Sequence, residues 1–228
     1  VEIGPQARKY HVHKALLIHH SDYFRKALSG SWKEAQDGVV RLEDVEPVAF
    51  NIFIAWIYGR NLGDDDLDWA ELLEDDPGVV CTIGDEYLAM IKAYAFGDRF
   101  QATKFRRTVH NLFVGPNVYW LHKSHLYPTA IWAFEHIPAS ALILQFLVDY
   151  QCDSWSETDN DEAIMLEKGL PAAFLRRVMR GLCELKHGSG ESLMRNRCYL
   201  EHASEEDKER CTKRHMVFEE DIEIRSFE

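Results

Sequence analysis

The run Val39-Val40-Arg41-Leu42-Glu43-Asp44-Val45-Glu46-Pro47-Val48-Ala49-Phe50-Asn51-Ile52-Phe53-Ile54-Ala55-Trp56-Ile57-Tyr58 decides how this chain folds. Val39 to Leu42 reads as a short strand between Gly38 and the turn-forming Glu43-Asp44. Pro47 suits the first helical position, where an N–H would have no intrahelical acceptor. Phe50, Phe53, Ile54, Ile57 and Tyr58 then recur at i, i+3, i+4, i+7 and i+8, the apolar face of a helix. Spacing of this kind marks a face buried in the core rather than a ligand-binding stripe.

Towards the N-terminus, Val1-Glu2-Ile3 and Lys9-Tyr10-His11-Val12-His13 read as two strands around a Gly4-Pro5 turn. A helix is expected over Lys14 to His20. Ser21-Asp22 can cap a second helix with Tyr23, Phe24, Ala27 and Leu28 on one face, ended by Gly30. Trp32 to Asp37 is read as a connecting segment. Towards the C-terminus, Asn61 to Ile91 lacks Lys and Arg while acidic residues crowd it, which predicts an acidic surface excursion over about 61–86. Helical spacing resumes with Tyr87, Leu88, Ile91, Tyr94 and Ala95, and again with Phe105, Val109, Leu112 and Phe113 before Gly115-Pro116. Pro128 is expected to open a helix ending near Pro138, and Leu142 to Tyr150 marks the next. Pro171 to Lys186 follows, with Phe174, Leu175, Val178, Met179 and Leu182 as its inner face. The implied organisation is a first domain over 1–115, an all-helical region over 116–186 and a charged, flexible tail over 187–228.

The sequence is 46% hydrophobic and 28% charged, values that permit a sizeable core. A formal charge of −12 opposes phosphate-backbone contact and an anionic membrane surface. No apolar run approaches the roughly 20 residues of a spanning helix. The five cysteines are odd in number and thinly spread, so a reducing, intracellular setting, cytoplasmic or nuclear, is expected.

The stretch from His11 to Leu62 resembles a BTB/POZ domain, the fungal members in particular. The resemblance is carried in order by Val12-His13-Lys14-Ala15-Leu16-Leu17, Ser21-Asp22-Tyr23-Phe24-Arg25, Ala27-Leu28-Ser29-Gly30, Trp32-Lys33-Glu34-Ala35, Val40-Arg41-Leu42, Glu46-Pro47-Val48-Ala49-Phe50 and Trp56-Ile57-Tyr58-Gly59. Tyr94 to Phe100 looks like the family's later helix entry. Leu170 to Leu175 looks like the second half of fungal proteins of this architecture. The resemblance implies an α+β, mostly α fold, a helical cluster flanked by a small sheet, followed by an all-helical C-terminal region. It also implies a protein-interaction module without catalysis or cofactor: a scaffold or substrate adaptor, with cullin-3 of a cullin-RING ubiquitin ligase as a candidate partner. The alternative is a self-associating structural or transcription-related scaffold that meets no cullin. Family dimers form through a long first helix and an opening strand, and the chain as given opens at Val1; a homodimer stays an expectation from the general habit of symmetric pairing.

In cullin-recruiting members an apolar-x-Glu element follows the second helix, and Trp32-Lys33-Glu34 matches it, which makes Trp32 and Glu34 the candidate partner contacts. His11 and His13 share a strand face, yet with no third ligand nearby they read as structural or surface histidines. His20-Ser21-Asp22 holds the residue types of a hydrolase triad, but sequence neighbours cannot take up its relay geometry. The sequence also lacks the nucleophile elbow, the phosphate-binding glycine loop and the zinc-protease helix signature. The acidic excursion lacks the spaced ligands of a calcium loop. One arrangement has metal-ligand character: Cys198-x3-His202 and Cys211-x3-His215, each pair on one face if helical. The glutamates around it and the lack of supporting apolar residues favour chance spacing, so no metal is expected; a zinc-binding module remains the alternative from another class.

Overall fold

The computed structural model describes residues 1–63, 69–73, 83–115, 123–154, 165–187, 192–194 and 197–211. Three two-residue strands, Glu2–Ile3 (β1), Arg8–Lys9 (β2) and Arg41–Leu42 (β3), form a sheet in the order β2-β1-β3. β1 meets β2 antiparallel, Glu2 opposite Lys9, and β3 parallel, Glu2 opposite Arg41. Gly4 turns the hairpin at φ +74° and donates its N–H to the Leu42 carbonyl at 2.9 Å. β2 is shorter than its alternation suggests, and His13 stands at the N-terminal boundary of a helix with its side chain turned to Tyr58. Its Nδ1 lies 2.6 Å from the Tyr58 hydroxyl, and His11 is exposed.

Lys14–His20 (α1) stops at Ser21, whose Oγ accepts the Phe24 N–H and so starts Asp22–Ser29 (α2). The segment expected as a connection forms a short helix, Lys33–Asp37 (α3), closed by Gly38 in the left-handed region at φ +66°. Pro47–Ile57 (α4) begins at its proline, as the sequence indicates. It buries Ala49, Ile52 and Ala55 as well as Phe50, Phe53 and Ile57, so it is enclosed on most sides rather than along one stripe. Within the acidic excursion Trp69–Leu73 (α5) docks through Asn51 Nδ2 to the Leu72 carbonyl, 3.0 Å, and Arg60 to Glu71, 2.9 Å. Residues 64–68 and 74–82 of that excursion lie outside the described residues.

Ile83–Arg99 (α6) packs against α4, Thr103–Phe113 (α7) and Lys123–His136 (α8). Around α4 and α6, the rings of Phe24, Phe50, Phe53, Phe96, Phe100 and Phe105 form one aromatic cluster, with centroids 4.5 Å apart for Phe96 and Phe100 and 5.1 Å for Phe53 and Phe105. α8 begins at Lys123 rather than at Pro128, which sits inside it. Leu142–Ser154 (α9) packs on α8 and on Ala172–His187 (α10). Buried apolar residues run as one core from Ile3 to Tyr199.

The inner face of α10 also differs from expectation. Phe174, Val178 and Gly181 are buried, while Leu175, Met179 and Leu182 face outward. A Cβ at Gly181 would stand 2.7 Å from Cys152 Sγ, so this small residue marks where the helix lies closest to α9. No helix among the described residues is long and apolar enough to cross a membrane.

Candidate functional site

Two places collect the residues singled out in the sequence, at opposite ends of the chain. The first is the corner between α2 and α3. α3 starts at Trp32, whose carbonyl accepts the N–H groups of Ala35 (3.0 Å) and Gln36 (3.2 Å). The indole lies against Gly30, where a Cβ would come within 2.7 Å of Trp32 Cδ1. Despite that contact the side chain is 66% exposed, so it is not a core aromatic. Glu34 is half-buried one turn into the corner. The Tyr23 hydroxyl is raised from its ordinary pKa of 10, by burial first and then by the charge of Glu34.

Ser21, set aside as a triad member, is buried; besides capping α2 it donates its hydroxyl to the Phe100 carbonyl at 2.6 Å. Nearby, a groove of about 390 Å³ runs between the loop before α4, α6 and the end of α8. Four of its charges pair with one another, Lys92 with Glu46 at 2.5 Å and Arg99 with Asp44 at 2.8 Å, and Asp98 pairs with Arg106 at 3.7 Å.

The second place is formed by the charged tail. Residues 197–202 are not helical; they run in irregular extension along α7 and α9. Tyr199 is buried, donating its hydroxyl to Asp149 at 2.6 Å and accepting the Nε2–H of His110 on its carbonyl, also at 2.6 Å. Glu201 is clasped twice by Asn111, its N–H to Oδ1 at 2.8 Å and its carbonyl to Nδ2 at 3.1 Å, and its carboxylate takes Arg106 at 2.6 Å. Asp149, fully buried, also accepts from Gln145 at 2.8 Å and Arg197 at 2.7 Å. The chain then bends at 203–204 into a helix over 205–211, started by Ser204 Oγ accepting the Asp207 N–H.

That bend returns Cys211 to the segment 197–202. Cys198 Sγ lies 3.3 Å from His202 Nε2 and 3.7 Å from Cys211 Sγ, and the three ligand atoms all fall within 4.8 Å of one another. Three of the four residues expected as an improbable set therefore converge, though not by the route first supposed. Cys198 and His202 share no helix, and tertiary anchoring of the tail brings them together. His215 lies outside the described residues. The anchors were missed in the sequence. Asp149, a lone acid inside the apolar run Leu142 to Tyr150, and Tyr199, an aromatic among charged neighbours, were the available signals.

The BTB/POZ domain family model matches residues 1–76, the span from the three-stranded sheet through α5. The chain carries a BTB/POZ domain. No solved structure matches the chain. BTB/POZ domains are protein–protein interaction domains, and the α2–α3 corner with Trp32 and Glu34 falls within the matched BTB/POZ residues. α6 and α7 lie beyond the match and share one hydrophobic core with the matched residues through Phe96, Phe100 and Phe105. The Cys198–His202–Cys211 cluster lies outside it altogether.

Proposed function

We propose that the chain is a non-catalytic scaffold or substrate adaptor whose BTB/POZ domain docks a protein partner at the α2–α3 corner, with cullin-3 as the partner to test first. The observation that carries this reading is Trp32: a large indole, two-thirds exposed, braced against a glycine at the start of a helix. An aromatic presented on a short, hydrogen-bonded corner loses little conformational freedom on docking, and such residues dominate interface energetics. Glu34 in the same corner supplies direction. The helices beyond residue 115 hold the domain or recruit a client.

Calorimetry of the purified chain with the N-terminal domain of cullin-3 tests the reading. The expected outcome is binding that weakens by about 2 kcal/mol or more, roughly thirtyfold, in Trp32→Ala and further in Trp32→Ala, Glu34→Ala. A wild-type chain that does not bind would sink the cullin reading. Sedimentation of the same sample would then show whether the domain is instead a self-associating scaffold.

A further inference from the structure

We propose that Cys198, His202 and Cys211 are the ligands of a zinc ion that joins the helix over 205–211 to the anchored segment 197–202. The case rests on lengths. With Zn–S of about 2.3 Å, Zn–N of about 2.0–2.1 Å and tetrahedral angles, two thiolates stand about 3.8 Å apart and a thiolate and an imidazole nitrogen about 3.5 Å apart. The corresponding separations in the structure are 3.7 Å and 3.3 Å. A disulfide needs its sulfurs about 2.05 Å apart, and Cys198 and Cys211 are not joined in one.

Burial suits the role. Cys198 is exposed, and His202 and Cys211 are half-buried, so an ion can reach the cluster from solvent. The segment bearing Cys198 is fixed beforehand by Tyr199 on Asp149 and by Glu201 on Asn111 and Arg106. The helix over 205–211 fixes the third ligand at its far end. Two soft thiolates with an imidazole select zinc over magnesium or calcium, which prefer oxygen. Binding displaces one proton from each thiol to solvent, and no electron is transferred. His215 repeats the Cys-x3-His spacing in sequence; the proposal stands on the three residues whose positions are described.

The test uses the full chain, purified without chelator, supplied with one equivalent of zinc and examined by native mass spectrometry. One zinc per chain is expected, lost in Cys198→Ser and in Cys211→Ser and retained in Cys183→Ser, a control at an exposed thiol outside the cluster. Wild-type protein given cobalt should show a thiolate-to-cobalt charge-transfer band with tetrahedral visible bands, a readout that needs no variant to fold. Two results would each overturn the proposal: a metal-free wild-type mass, or an unchanged stoichiometry in Cys198→Ser.

Discussion

At Asp149 a single buried carboxylate takes hydrogen bonds from Gln145, Arg197 and Tyr199. A charge withdrawn from water is tolerated only when its lone pairs are met, and removing the acid leaves the buried Tyr199 hydroxyl without its acceptor, while Arg197 keeps Glu184 and solvent. Asp149→Ala should therefore cost about 1–3 kcal/mol in urea denaturation. Tyr199→Phe removes one charge-assisted bond and should cost about 1.5–3 kcal/mol. Cys152 illustrates the same desolvation acting on a thiol: burial first, then the charges of Asp149, Asp153 and Glu184, push its pKa up to about 12. Since the thiolate is the nucleophile, native protein treated with iodoacetamide should carry the label on exposed Cys183 and not on Cys152, and denatured protein on both.

The elements are set against one another by close approaches as much as by apolar faces. At Gly97 a Cβ would lie 2.9 Å from Arg106 Cβ and 3.0 Å from Arg106 Cα, so α6 and α7 meet there almost backbone to backbone. Arg106 is in turn held by Tyr94 and Glu201, which leaves the neighbour little room to withdraw. Gly97→Ala should destabilise by about 1–3 kcal/mol, the usual effect of overpacking, despite the better helix propensity of alanine. The measurement is the urea midpoint, with Gly63→Ala, whose Cβ would meet the flexible end of Leu112 at 3.3 Å and Asn61 Oδ1 at 3.8 Å, as comparison. A smaller loss at Gly97 than at Gly63 would show that the two helices can slide apart.

Across the whole molecule, His110 joins α7 to the tail. It is fully buried, with Nε2–H spent on the Tyr199 carbonyl and Nδ1 3.8 Å from Glu201. Burial, the largest cause, lowers its pKa below the ordinary 6.5; the Tyr199 bond and Glu201 oppose that shift, and Arg106 adds to it. The folded protein thus binds fewer protons than the unfolded chain once the pH drops below about 6.5. Its stability is fully present above that value and lost progressively as the pH falls towards the folded pKa. His20 is lowered too, by burial and then by His19 and Lys104, and contributes with the same sign. Urea unfolding between about pH 7.5 and about pH 5 should show stability falling with acidification, less steeply in His110→Asn. An identical slope in the variant would remove His110 from the account.

The sequence alone settled what depends on local chemistry: the cap at Ser21, the helix start at Pro47, the helices of apolar period, and the ordered blocks of the BTB/POZ domain. These are legible because capping and periodicity act over a few residues, and a run such as Phe50 to Ile57 carries its own instructions. It could not say which face of α10 turns inward, since Leu175, Met179 and Leu182 are as apolar as Phe174 and Val178; the contact at Gly181 with Cys152 decided that. Nor could it place α8's start five residues before Pro128, because the packing of Leu126 and Tyr127 against the core carries the helix through the proline. The convergence of Cys198, His202 and Cys211 belonged wholly to tertiary structure. Their meeting depends on Tyr199 and Glu201 finding partners on α7 and α9, and contacts across that distance along the chain leave no period in it.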